Sequence, residues 1–105
     1  MSTLDEREKG FERKFASDAE KEFRATARRN RMLGEWAAHL MGLKNVEDYA
    51  RAVVRSELDQ PGDEDVLRKV SRDLSGAGLA VGEGEVRKKM DEFLAQARSV
   101  VHAGE

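Results

Sequence analysis

Lys21-Glu22-Phe23-Arg24-Ala25-Thr26-Ala27-Arg28-Arg29-Asn30-Arg31-Met32-Leu33-Gly34-Glu35-Trp36-Ala37-Ala38-His39-Leu40-Met41-Gly42 is the stretch that decides the fold. At 100° per residue Met32, Leu33, Trp36, Ala37 and Leu40 fall on one face, the pattern of an amphipathic helix laid on a core. Continuing the wheel backwards puts Leu4, Phe11 and Phe15 near the same meridian, interrupted by Glu22 and Arg29. The spacing therefore predicts one long helix with two unlike halves. The C-terminal half carries enough apolar surface to anchor a domain, and the N-terminal half sets a leucine and two phenylalanines among charges.

Working outward, Ser17 or Asp18 is the expected N-cap of the stable part of this helix, and Gly42 its expected C′ residue. Asn45 with Asp48 three residues later predicts a second, capping-box-like start. The buried face of that helix is Val46, Tyr49, Ala50, Val53, Val54 and Leu58, and Asp59-Gln60-Pro61-Gly62 ends it. Asp63 is expected to cap a third helix, with Val66, Leu67, Val70 and Leu74 inward. A connector over 76–84, with Leu79 or Val81 tucked onto the bundle, leads to a last helix from about Glu85. That helix carries Val86, Met90, Phe93, Leu94, Ala97, Val100 and Val101 at 3/4 spacing. No run alternates with period two, so the expected fold class is all-α: a four-helix bundle with a long first helix and a flexible or marginally helical N-terminal segment.

Composition bounds the function. A chain of 105 residues supports one domain and no second core. A net charge of −2 offers no global attraction to nucleic acid, and the acidic turn before the third helix opposes a helix-turn-helix reading. With no cysteine, thiolate chemistry and cysteine-based metal sites are excluded. The acidic group Asp59, Asp63, Glu64 and Asp65 lacks the order of a calcium loop, so no metal is expected. Gly76 and Gly78 lack the third glycine of a dinucleotide fingerprint, position 81 being Val81. No nucleophile has a partner base, and the chain is read as neither an enzyme nor a cofactor carrier. Without a secretory h-region or an apolar run near the ~20 residues of a membrane span, the expected location is cytoplasmic, with no direct membrane insertion.

Residues 1–17 form the unusual part. Eight of the ten residues from Asp5 to Lys14 are charged, four of each sign, and Gly10 costs a helix about 1 kcal/mol. Asp5 and Lys9 stand i,i+4 in the favourable order, so the segment is helix-competent but marginal alone. Phe11 and Phe15, also i,i+4, suit a segment that folds against a partner, and a long first helix would overhang the bundle and expose Phe23 as well. Lys21, Arg24, Arg28 and Arg31 share a basic face that fits an acidic surface or a phosphate.

Phe11-Glu12-Arg13-Lys14-Phe15-Ala16, the run from Ala27 to Ala38, and Pro61-Gly62-Asp63-Glu64-Asp65-Val66 together resemble the zeta-subunit family, small inhibitors of the F-type ATP synthase of alpha-proteobacteria. The resemblance implies a bundle over 18–105 and an inhibitory segment over 1–17, reaching to about Ala19. In that family the segment enters a catalytic alpha/beta interface of the ATPase head against the central gamma stalk and blocks ATP hydrolysis. Leu4, Phe11, Arg13, Lys14, Phe15 and Phe23 are then the expected partner contacts, and the inner face of the plasma membrane, through the synthase, is the expected place. Two other readings stand beside it. One is an adenine-nucleotide sensor using Arg28, Arg29 or Arg31 with Trp36, and the other is a helical adaptor between proteins.

Overall fold

The computed structural model describes the backbone of residues 3–59 and 61–103 and the side chains of residues 17–59 and 61–103. It contains α1 (Thr3–Met41), α2 (Val46–Asp59), α3 (Asp63–Gly76) and α4 (Glu83–His102), with no strand among the described residues. The chain is an all-α four-helix bundle. At 1.5 Å per residue the 39 residues of α1 span about 58 Å, against about 21 Å for the 14 residues each of α2 and α3. Hence the molecule is drawn out to 65 × 23 × 22 Å. All three other helices pack on α1, with α2 and α4 making its broadest contacts.

Ser17 and Asp18 do not begin α1, because its backbone runs through them from Thr3. Their preference for caps operates at helix ends, and inside a helix each costs no more than about 0.7 kcal/mol relative to alanine. The C-terminus follows the expectation. Gly42 has φ 68°, its N–H donates to the His39 carbonyl, and the Leu43 N–H donates to the Ala38 carbonyl. These are the two bonds of a Schellman ending, which needs a left-handed residue where glycine is cheapest. Gly78, φ 80°, ends α3 the same way, with the Leu79 N–H on the Leu74 carbonyl at 3.1 Å. That bond turns Leu79 back onto the core, where Val81 also packs.

At the start of α2 the Asp48 N–H donates to Asn45 Oδ1 at 3.1 Å, and Asn45 Nδ2 donates to the Asp48 carboxylate. The expected capping pair is therefore present. α3 differs. Its N-cap is Gly62, with no side-chain cap, and Asp63 is the first helical residue. The Asp63 carboxylate is drawn instead to Arg29 on α1, at 2.8 Å.

The main core joins Leu33 and Ala37 of α1 to Val53 of α2, Val66, Leu67, Val70 and Leu74 of α3, and Val86 and Met90 of α4. A smaller cluster sets Ala25 against Ala97 and Val101, extending α4 along α1. The inward face of α1 is turned from the expected one, towards Asn30, Gly34 and Ala38. The cause is Gly34, where a Cβ would stand 2.7 Å from the Ala50 Cα. This close crossing of α1 and α2 selects small residues at the contact and moves the bulky stripe sideways. Met32 and Trp36 are accordingly half-buried, and Leu40, expected inside, is 45% exposed. Leu58 at the far end of α2, also expected inside, is 60% exposed.

The two charges that interrupt the α1 stripe are each met by another helix. Arg29, 2% exposed, reaches Asp63 of α3, and Glu22 is bonded by Arg98 of α4, with Nε at 3.1 Å from Oε1. Tyr49 donates to the Asp73 carboxylate at 2.7 Å and so fastens α2 to α3, while burial and that bond push its phenol far above its ordinary value. The exposed Glu22–Arg98 pair contributes at most about 1 kcal/mol and chiefly fixes how α4 meets α1.

Candidate functional site

The proposed inhibitory side chains Leu4, Phe11, Arg13, Lys14 and Phe15 lie outside the described residues; the helix that bears them is α1. The first residues of α1 whose side chains are described, Ser17 to Glu20, are all exposed. Phe23 follows, 62% exposed. It stands at the rim of a groove of about 480 Å³ that α1 forms with α2, where Val54, Leu58 and Pro61 make the opposite wall. A phenylalanine and a leucine left in water across one groove form an apolar patch of the kind that marks a contact surface.

The basic residues of α1 divide between two sides. Arg31 is exposed and donates to Glu35 at 3.2 Å and to Glu47 of α2 at 3.0 Å. Both bonds hold its guanidinium above the ordinary value, with Glu47 the larger cause. Arg28, half-buried, lines the same α1–α2 groove one turn nearer Phe23. Arg24 pairs with Glu20 at 3.3 Å. Arg29 turns the other way. Its Nε donates to Asn30 Oδ1 at 3.0 Å, and its Nη2 is on Asp63, whose carboxyl it holds below the ordinary range. Trp36 is half-buried against the main core. Arg28 and Arg31 thus come together, while Arg29 and Trp36 are engaged inside the bundle.

Two residues with no role assigned from the sequence lie on the floor of the groove. Asn30 is fully buried, and its Nδ2 has no acceptor among the described residues. The bond from Arg29 to Oδ1 fixes which end of the amide is the unpaired donor. Glu57 Oε2 is likewise buried with no donor among them. Burial pushes the Glu57 carboxyl up, with Asp63 adding to the rise and Arg29 and the Gly62 N–H opposing it. No sequence pattern announces either residue, since their neighbours come from α2 and the α2–α3 turn. The acidic group near the third helix is largely paired: Asp63 with Arg29, Glu64 with Arg87 at 2.7 Å, and Asp65 with Arg68 at 4.0 Å.

Among the described residues no helix is long and apolar enough to cross a membrane. In comparisons with known proteins, the family model described as ATPase inhibitor subunit zeta matches residues 1–100. No curated protein matches the chain.

Proposed function

Because the chain belongs to the ATPase inhibitor subunit zeta family, regulatory proteins and not enzymes, we propose that it stops ATP hydrolysis by F-type ATP synthase with its N-terminal segment. The segment, residues 1–17, enters a catalytic alpha/beta interface of the ATPase head against the gamma stalk. It wedges the rotor in the hydrolysis direction, with Phe11 and Phe15 as apolar anchors and Leu4, Arg13, Lys14 and Phe23 as further contacts. The bundle stays outside as the handle. The protein thereby works at the inner face of the membrane that carries the synthase.

The observation that carries this reading is the extent of the family match, which begins at residue 1 and so takes in the segment together with the bundle. The long helix adds physical support. A wedge must be stiff and must project, and α1 is about 37 Å longer than its 14-residue neighbours. The test is ATP hydrolysis by the matching purified synthase, with and without the protein. Titratable inhibition of hydrolysis supports the reading, and unchanged hydrolysis at a large excess of the protein rejects it. A nucleotide site made of Arg28, Arg29, Arg31 and Trp36 gains less support, because Arg29 already serves Asp63 and Asn30.

A further inference from the structure

The groove between α1 and α2 does not end at Phe23. Past Ala27, Val54 and Leu58, which line both stretches, it continues as a second hollow of about 570 Å³. The two stretches differ in chemistry. Near Phe23 the walls are mostly apolar, the Glu22 carboxylate among them being bonded by Arg98, and the buried floor carries the unpaired amide N–H of Asn30 and the unpaired Glu57 oxygen. Further on, the rim is Arg28, Arg31, Arg51 and Arg55, four cations against the single carboxylate of Glu47. Arg31 already engages that carboxylate. Arg51 and Arg55 are exposed, stand one helical turn apart, and form no ion pair with a described residue. Like charges at that spacing repel, at a cost of a few tenths of a kcal/mol to an isolated helix.

Apolar walls and a cationic rim call for one kind of occupant. Apolar side chains would cover Phe23 and Leu58, and carboxylates would answer Arg51 and Arg55. From the proposed function above, on which this inference rests, we infer that the groove docks an amphipathic helix with an acidic flank that belongs to the ATPase head. The lining of the groove begins at Ala19, two residues after Ser17 and about 3 Å along α1 from the end of the inserted segment. A surface that receives the segment is therefore adjacent to it. A second copy of this chain fits worse. Its own Phe23 is neighboured by Arg24 and Lys21, and its residues 5–14 carry as many cations as anions. Docking in the groove gives the inhibitor a second attachment, and linkage of two attachments raises affinity without altering the inhibited state.

The experiment uses the full chain and the matching purified ATPase head. Arg51→Glu with Arg55→Glu reverses the unpaired part of the rim. Arg72→Glu with Lys88→Glu makes the same change in charge on exposed positions of α3 and α4. The groove variant is expected to need roughly tenfold more protein for half-inhibition while still reaching the wild-type maximum. The control variant is expected to stay within about twofold of wild type. Equal behaviour of the two variants overturns the inference. A second readout does not depend on inhibition. The chain has no cysteine, so Leu58→Cys provides one attachment point for a photo-cross-linker in the groove. Capture of an Asp- or Glu-flanked helical peptide of the head supports the docking, even where hydrolysis continues and the inhibitory reading fails. Capture of a second copy, of a basic peptide, or of no peptide of the head refutes it.

Discussion

Replacing Gly34 by alanine tests the α1–α2 crossing on which the orientation of the whole first helix depends. The new Cβ would meet the Ala50 Cα at 2.7 Å, Val53 Cγ2 at 3.2 Å and the Ala50 Cβ at 3.3 Å. Carbon atoms at rest are about 3.5–4.0 Å apart, so α2 must retreat by about 1 Å, and because the closest atom is backbone no rotamer change relieves it. In a helix interior the exchange of glycine for alanine by itself gains about 1 kcal/mol. Overpacking a tight contact costs about 1–3 kcal/mol, here towards the upper end. The expected net loss is about 1–2 kcal/mol, a fall in Tm of about 5–10 °C for a domain of this size. Thermal unfolding followed by circular dichroism at 222 nm measures it. Gly84→Ala, in the first turn of α4 with nothing within 4 Å, is the control and should hold or raise Tm. If Gly34→Ala raises Tm as the control does, the crossing is not tight and the reason given for the exposure of Leu40 fails.

Arg29→Met removes a buried guanidinium and leaves Asn30 Oδ1 unpaired, so it should cost about 2–3 kcal/mol in urea unfolding. Tyr49→Phe loses one bond to Asp73, which keeps Lys69 at 3.2 Å, and should cost only about 1 kcal/mol in the same assay. The pH dependence carries opposite signs at two places. Glu57 is raised above its ordinary 4.5, so the folded chain holds that proton longer than the unfolded one and stability falls as pH rises just above 4.5. Glu57→Gln should remove that slope and leave the bundle more stable at pH 7, as read from Tm against pH. Asp63 and Glu22 are lowered, by Arg29 and Arg98, so their contribution is present above 3.8 and 4.5 and is lost as pH falls below those values. Phe11→Ala and Phe15→Ala should weaken inhibition of ATP hydrolysis with Tm nearly unchanged, and a large fall in Tm would make them core residues instead.

Local chemistry made much of the fold readable. Asn45 and Asp48 are three residues apart, and a capping pair needs nothing else. Val66, Leu67, Val70 and Leu74 obey the helical period and are all buried. Decisions taken between helices were not readable. Arg29 stood on the apolar meridian as an interruption, and only the approach of Asp63, 34 residues away, makes its burial tolerable. Gly34 reads as a weak spot in a helix until Ala50 is placed against it. Its effect turned Leu40 outward, which periodicity in one helix cannot foresee. Phe23 is exposed as expected, but at the rim of the α1–α2 groove and not on an overhang of α1. That groove was not readable, because Asn30, Arg51, Glu57 and Leu58 belong to two helices whose relative rotation no spacing encodes.

The central claim is that one end of the chain inhibits and the rest holds. Its most direct test is ATP hydrolysis by the matching synthase, titrated with the full chain and with a chain lacking residues 1–17, whose helical circular dichroism is recorded alongside. The account predicts that the shortened chain remains a folded bundle and leaves hydrolysis unchecked. Full inhibition by that folded, shortened chain would contradict it.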